Sequence, residues 1–336
     1  MIQMLNLGHS GSTPSQGSES MPDQAASPSG ERMSRERMRE LRNLALEMQS
    51  LLGARWEVLD CLALGGMATI LQLRHRIHKG LFVAKALRPE LADRPEILRS
   101  FHAEARNASL VGGHPNAVPV FDVLDAGGLP VLLMPFIEGE DLDAFIQRHG
   151  PLSRIQTLQF ATQISSLLCH AESYGISHGD LSPGNIRLDQ FGRYRVLDFG
   201  LSRMQNNDDP YQPFSAGTPL YTSPEQLRGE APDIRTDLYE LGLVIVEVMT
   251  GKPLMQADSL KAIRQRHLDG ISALPAAIEA DAPLARLLRR MLARERSERL
   301  RGAAELSRAL EQLGFQPQEL MRPDAASTRR GRISTR

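Results

Sequence analysis

The stretch His178-Gly179-Asp180-Leu181-Ser182-Pro183-Gly184-Asn185, followed by Asp198-Phe199-Gly200, decides how the rest of the chain is read. It places a carboxylate, an amide and a second carboxylate on two closely spaced loops. Two short apolar runs, 186–188 and 194–197, lie between those loops and predict a β-hairpin. Such a hairpin brings Asp180, Asn185 and Asp198 to one end. Oxygen-bearing side chains gathered there suit hard cations and phosphates better than the metals that thiolates hold. Any one of the three alone reads as a turn residue. As an ordered set, with a glycine after the second aspartate, they point to chemistry on a phosphate.

Bulk properties narrow the setting. The chain has 336 residues, enough for one large domain or two smaller ones, and its 41% hydrophobic content permits a sizeable core. A net charge of -1 argues against a nucleic-acid-binding protein. The two cysteines, Cys61 and Cys169, make no disulfide framework and fit a reducing cytosol. No apolar run approaches the length of a membrane span, and the first residues lack the basic start and long apolar core of a secretion signal. The expected location is therefore cytoplasmic, with no nucleic acid and no membrane span; oligomeric state is left open.

Residues 1–30 are rich in Ser, Gly, Pro and Gln and are expected not to pack. An amphipathic helix is expected within 31–53, with Leu41, Leu44, Ala45, Met48, Leu51 and Leu52 at helical spacing and Gly53 as its stop. Docking on its own domain is favoured over partner binding, and the basic face also permits a membrane-surface role. Three strands are expected across 56–87, with a turn at His78-Lys79-Gly80, then a helix over 95–110. Strand patterns return at 117–124 and 129–136. Beyond Leu142 the texture is helical: Ser153 is the expected cap of a helix running to Tyr174, and later helices are expected at 238–250, 284–293 and 303–313. A small sheet lobe (54–135) and a larger helical lobe (136–314) follow, an α+β architecture with its ligand expected in the cleft between them. The segment 315–336 is basic and expected to be a disordered tail.

In this order the motifs resemble those of the eukaryotic-like Ser/Thr protein kinases, particularly the bacterial ones, from about Trp56 to Leu313. The resemblance implies a bilobal protein-kinase-like fold, ATP with Mg2+ (Mn2+ possible) as cofactors, Ser/Thr-bearing proteins as substrates, and possible autophosphorylation. Leu64, Gly65, Gly66 and Met67 stand where the family has its glycine-rich phosphate cover. In Phe82-Val83-Ala84-Lys85 the lysine matches the one that reaches the α- and β-phosphates, and Glu104 matches its helix partner. Met134 is the implied gatekeeper, with Pro135 and Ile137 at the hinge meeting adenine, and Ile70, Val83 and Leu188 beside the nucleotide. Asp180 is the implied catalytic-loop aspartate that accepts the hydroxyl proton; Asn185 and Asp198 are the implied metal ligands. Glu225 and Arg299 match a structural ion pair, and Asp237-Leu238-Tyr239-Glu240-Leu241-Gly242 matches the helix supporting the catalytic loop.

Departures from the family pattern are also specific. Ala63 and Ala68 replace two loop glycines; a left-handed backbone at Ala68 would cost about 1–2 kcal/mol. Gly179 stands where many members have an arginine that meets an activation-loop phosphate, which implies activity not gated by that phosphorylation. Ser182 replaces a lysine beside the transferred phosphate, a loss worth about 10²–10³ in rate. The expectation is a slow kinase. A pseudokinase scaffold is the second reading. A small-molecule kinase of the aminoglycoside or choline type is the third, supported by the His-Gly-Asp-Leu wording. The peptide-docking segment Gly217-Thr218-Pro219-Leu220-Tyr221-Thr222-Ser223-Pro224-Glu225 argues against it.

Overall fold

The computed structural model describes residues 48–199 and 219–314. Segments 1–30 and 315–336, the first part of the expected N-terminal helix, and Gly200, Ser215, Gly217 and Thr218 lie outside the described residues. Alternation of aliphatic and polar residues between turns produces five antiparallel strands: β1 (Trp56–Leu64), β2 (Ala68–His75), β3 (Leu81–Leu87), β4 (Asp122–Ala126) and β5 (Leu129–Pro135), in the order β1-β2-β3-β5-β4. Leu71 and Leu73, Ala84 and Ala86, and Val131 and Leu133 each sit two residues apart and so share one face, where they pack with Trp56 and Ala126. Trp56 meets the rings of His75 and Phe82 edge to face.

Residues 48–52 are helical and end at Gly53, whose φ of 75° suits a glycine stop. Met48 joins the sheet's core cluster, so this end of the helix docks on its own domain. Gln49 does more specific work. Its Nε2 donates to the Trp56 carbonyl (2.9 Å) and its Oε1 accepts the Val58 N–H (2.8 Å). Because β1 is an edge strand, those groups have no neighbouring strand, and one amide side chain satisfies both.

The second structural unit is mostly helical. It comprises α1 (Pro95–Val111), α2 (Leu142–His149), α3 (Arg154–Ser173), α4 (Pro224–Leu227), α5 (Ile234–Thr250), α6 (Leu260–Asp269), α7 (Ala276–Glu279), α8 (Ala282–Met291) and α9 (Ala303–Gln312). A three-stranded sheet, β6 (Gly139–Asp141), β7 (Ile186–Asp189) and β8 (Tyr194–Val196), lies within it. Contacts divide the described residues so that those up to Asp93 and Asp122–Phe136 form one unit, while Arg94–Phe121 and those from Ile137 form the other. The class is α+β.

Ser153 caps α3 as expected, through a reciprocal box: Ser153 Oγ accepts the Gln156 N–H, and Gln156 Oε1 accepts the Ser153 N–H. Two boundaries differ most from the sequence pattern. Helix α5 begins at Ile234 rather than Leu238, because Asp233 caps it and its first turn is polar. The run expected as a strand at 117–124 splits at Pro119, which cannot donate to a ladder. Its first part lies beside β8, with the Val118 N–H donating to the Val196 carbonyl (3.0 Å), and only Asp122–Ala126 joins the large sheet. Among the described residues no helix is long and apolar enough to cross a membrane.

Replacing Gln49 with leucine removes the Val58 N–H acceptor and leaves the Trp56 carbonyl to Arg76 Nε (3.3 Å), and is expected to cost about 1–2 kcal/mol. The check is the denaturant midpoint of Gln49→Leu against wild type; an unchanged midpoint would show that water serves the edge equally well.

Candidate active site

The predicted hairpin forms. Strands β7 and β8 pair Ile186 with Val196 and Leu188 with Tyr194, and the Leu197 N–H donates to the Asn185 carbonyl (2.9 Å). That pairing brings Asn185 and the chain entering Asp198 to one end. Asn185 Nδ2 donates both to the Asp180 carbonyl (2.8 Å) and to Asp180 Oδ2 (2.9 Å). With its nitrogen committed there, Asn185 keeps its amide oxygen as the hard acceptor a divalent cation needs, and Asp198 supplies a carboxylate. Asp198 itself has φ 57°, a left-handed conformation unusual outside glycine. The next residue, Phe199, is buried edge to face against His178 (4.9 Å between centroids).

The loop 178–181 is held from below by α5. His178 and Gly179 donate their N–H groups to the two oxygens of Asp237, at 2.9 and 2.7 Å. The Asp180 N–H donates to His178 Nδ1 (3.2 Å), so the ring proton is on Nε2, which donates to the Leu197 carbonyl (2.7 Å). Leu181 N–H donates to Glu240 Oε2 (2.8 Å). From the other side, Gln226 Nε2 donates to the Gly179 carbonyl (2.7 Å). Asp237 and Glu240 are fully buried one helical turn apart. Burial raises both carboxyls and the neighbouring Asp237 charge raises Glu240 further, while the N–H groups of His178 and Gly179 on Asp237, and of Leu181 on Glu240, oppose the shift.

Gly179 has a structural role that its reading as a missing arginine did not reveal. Its φ is 70°, which glycine adopts without a Cβ penalty. Ser182 is buried, 1% exposed, and its Oγ has no hydrogen-bond partner among the described residues. The lysine position is thus filled by a small, unpartnered hydroxyl.

The end of the segment entering α4 is fixed from several sides. Glu225 is buried and paired with both Nη atoms of Arg299 (2.7 and 2.8 Å), while Thr236 Oγ1 donates to it (2.8 Å). Burial alone would raise the Glu225 carboxyl, but Arg299 outweighs it and holds it below the ordinary value. Arg299 also lies over the Tyr239 ring (4.6 Å). Burial lowers His267 to about 4, so its neutral ring donates from Nε2 to the Pro219 carbonyl (3.0 Å) and accepts from Tyr239 Oη at Nδ1 (2.8 Å). Tyr221 Oη donates to Glu247.

Most of the remaining predicted residues lie in the sheet unit or at its exit, while Glu104 and Leu188 belong to the second unit. Leu64, Gly65, Gly66 and Met67 span the β1–β2 turn, closed by the Gly65 N–H on the Ala68 carbonyl (2.8 Å). Ala68 pairs with Leu87 as the first residue of β2 and is not left-handed, so the penalty considered for it does not arise. Ile70 lies opposite Lys85, and Val83 opposite Met134. By alternation these four share the face opposite the Trp56 core, where Lys85 is buried. Pro135 closes β5 and pairs with Phe82. Ile137 offers its carbonyl to Arg187 Nε (2.8 Å), Leu188 lies on β7, and Glu104 is buried on α1. Glu240 and Gln226 were not singled out from sequence; a glutamate inside the apolar run of α5 was the available signal for the first.

Alanine at position 179 is expected to destabilise the protein by about 1–2 kcal/mol, the cost of a left-handed backbone bearing a Cβ. Denaturant unfolding of Gly179→Ala checks this; a wild-type midpoint would mean the loop relaxes freely to another backbone.

Comparison with known proteins identifies the family. The family model described as protein kinase domain matches residues 56–310. The serine/threonine-protein kinase PknB of Mycolicibacterium smegmatis is 32% identical over 265 residues, which is 76% of this chain and 42% of that protein. PknB of Mycobacterium tuberculosis gives the same identity and coverage. The serine/threonine-protein kinase PrkC of Bacillus subtilis is 32% identical over 218 residues, 65% of this chain and 34% of the relative. The matched region thus spans about two fifths or less of these relatives' lengths. The chain belongs to the protein kinase family, alongside its eukaryotic-like bacterial serine/threonine members.

Proposed function

We propose that the protein is an ATP-dependent Ser/Thr protein kinase that transfers the γ-phosphoryl group to protein hydroxyls, slowly and without gating by activation-loop phosphorylation. The observation that carries the reading is the Asp180–Asn185 contact of 2.9 Å, on a loop whose amides are bonded to α5. Family members use ATP and a divalent metal ion; Mg2+ is the ion proposed here. Asn185 and Asp198 would hold it, and it would supply neutralisation of phosphate charge there.

Asp180 orients the substrate hydroxyl and takes its proton. The hydroxyl oxygen forms a bond to the γ-phosphorus as the bond to the β–γ bridging oxygen breaks, and ADP leaves. Lys85 and Glu104 keep the roles the family gives these positions; both are buried charges, which rarely persist without partners. Leu64, Gly65, Gly66 and Met67 cover the phosphates, and Ile70, Val83, Met134, Pro135, Ile137 and Leu188 contact the rest of the nucleotide. The working domain is 54–314, in a cytoplasmic setting, with autophosphorylation as a further activity. Slowness rests on Ser182, whose buried hydroxyl brings no charge where a cation is expected. The same observation favours the second reading, a nucleotide-binding pseudokinase.

One assay separates them. With labelled ATP, Mg2+ and a generic basic protein, wild type is expected to transfer phosphate and Asp180→Asn is not, while Ser182→Lys is expected to raise kcat by up to about 10²-fold. Equal signal from wild type and Asp180→Asn would remove the kinase reading. Nucleotide binding without turnover would establish the pseudokinase.

A further inference from the structure

We propose that Glu240 is a positioning residue for Asp180, acting through the backbone of Leu181. The inference rests on the kinase reading above and extends it to a residue outside the implied catalytic set. Four consecutive N–H groups, from His178 to Leu181, each have an acceptor, and Asp237 serves only the first two. Asp180 is followed directly by the group that Glu240 holds at 2.8 Å. Its carbonyl and one carboxylate oxygen are held by Asn185 on the other side. Asp180 is therefore fixed between two clamps, and only one of them belongs to the proposed metal site.

Position along α5 explains the division of labour. Residues three apart on a helix lie on one face, so Asp237 and Glu240 meet the loop as successive acceptors, two amides apart in register. Glu240 also hydrogen-bonds Gln226, whose Nε2 donates to the Gly179 carbonyl. The catalytic loop is thereby tied to the segment that begins α4. Simple core filling does not account for this choice, because a buried carboxyl is unfavourable unless its hydrogen bonds are made.

Misplacement of a catalytic group by about 1 Å can cost about 10²-fold in rate. Glu240→Leu in the full chain is accordingly expected to lower kcat tenfold or more (~10–10²) while leaving KM for ATP near wild type. Amide exchange at Leu181 is expected to accelerate in the same variant. Glu240→Gln, which keeps an acceptor of the same reach, is expected to recover most of both losses. Should the leucine variant fail to fold, Glu240→Ser supplies the same comparison with a side chain too short to reach Leu181. Wild-type kcat in a folded Leu or Ser variant would overturn the proposal, as would a Gln variant impaired as severely as they are. Absence of transfer by wild type would defeat the kinase reading instead; Leu181 exchange still decides whether Glu240 holds the loop.

Discussion

A loop that must be irregular and buried needs acceptors for its N–H groups, and here the His178 ring serves Asp180 while two acidic side chains on one helix serve His178, Gly179 and Leu181. Asp237 receives the His178 and Gly179 amides with one oxygen each. Backbone donors without partners in such a place are strongly disfavoured, so the loop's conformation and the helix's buried charges require each other. Gly179 is part of the same arrangement. Its left-handed backbone turns consecutive N–H groups toward a single carboxylate, a geometry that a residue with a Cβ would adopt only at a cost.

Helix α5 therefore acts as more than a core element. Residues Thr236 through Val248 are buried without interruption, as expected of a helix enclosed by its own domain. Its polar members are distributed by task. Asp237 and Glu240 meet the loop that carries Asp180, while Glu247 and Tyr239 meet the end of the segment before α4, the latter through His267. Arg299 and Glu225 close that region with a bidentate, fully buried pair supported by Thr236. A single rigid helix can in this way hold the residue proposed to take a proton and the backbone proposed to receive a peptide.

Much of this was legible because the signals were local. The hairpin from 186 to 196, the Ser153 cap and the order of the motifs each depend on short spacings that propensity and turn chemistry decide. The start of α5 and the fate of 117–121 were less legible. Asp233 caps through a side chain rather than through apolar periodicity, and Ala117 and Val118 chose β8 over the large sheet, a tertiary choice that alternation does not record. At the site, residue types identified Asp180, Asn185 and Asp198 as a set, but the φ of Gly179 and the contact of Glu240 depend on three-dimensional register. Ser182 showed its chemical departure in sequence, while its burial and unpartnered hydroxyl became apparent only in the fold.

The central claim is that an α5 carboxylate holds the catalytic loop for phosphoryl transfer. Its most direct test is single-turnover transfer by Asp237→Asn, measured beside nucleotide affinity in the same preparation. An asparagine keeps one acceptor oxygen but presents an NH2 group to the second loop amide. The account predicts a loss of transfer on the order of 10²-fold with nucleotide affinity retained. Transfer at the wild-type rate would contradict it.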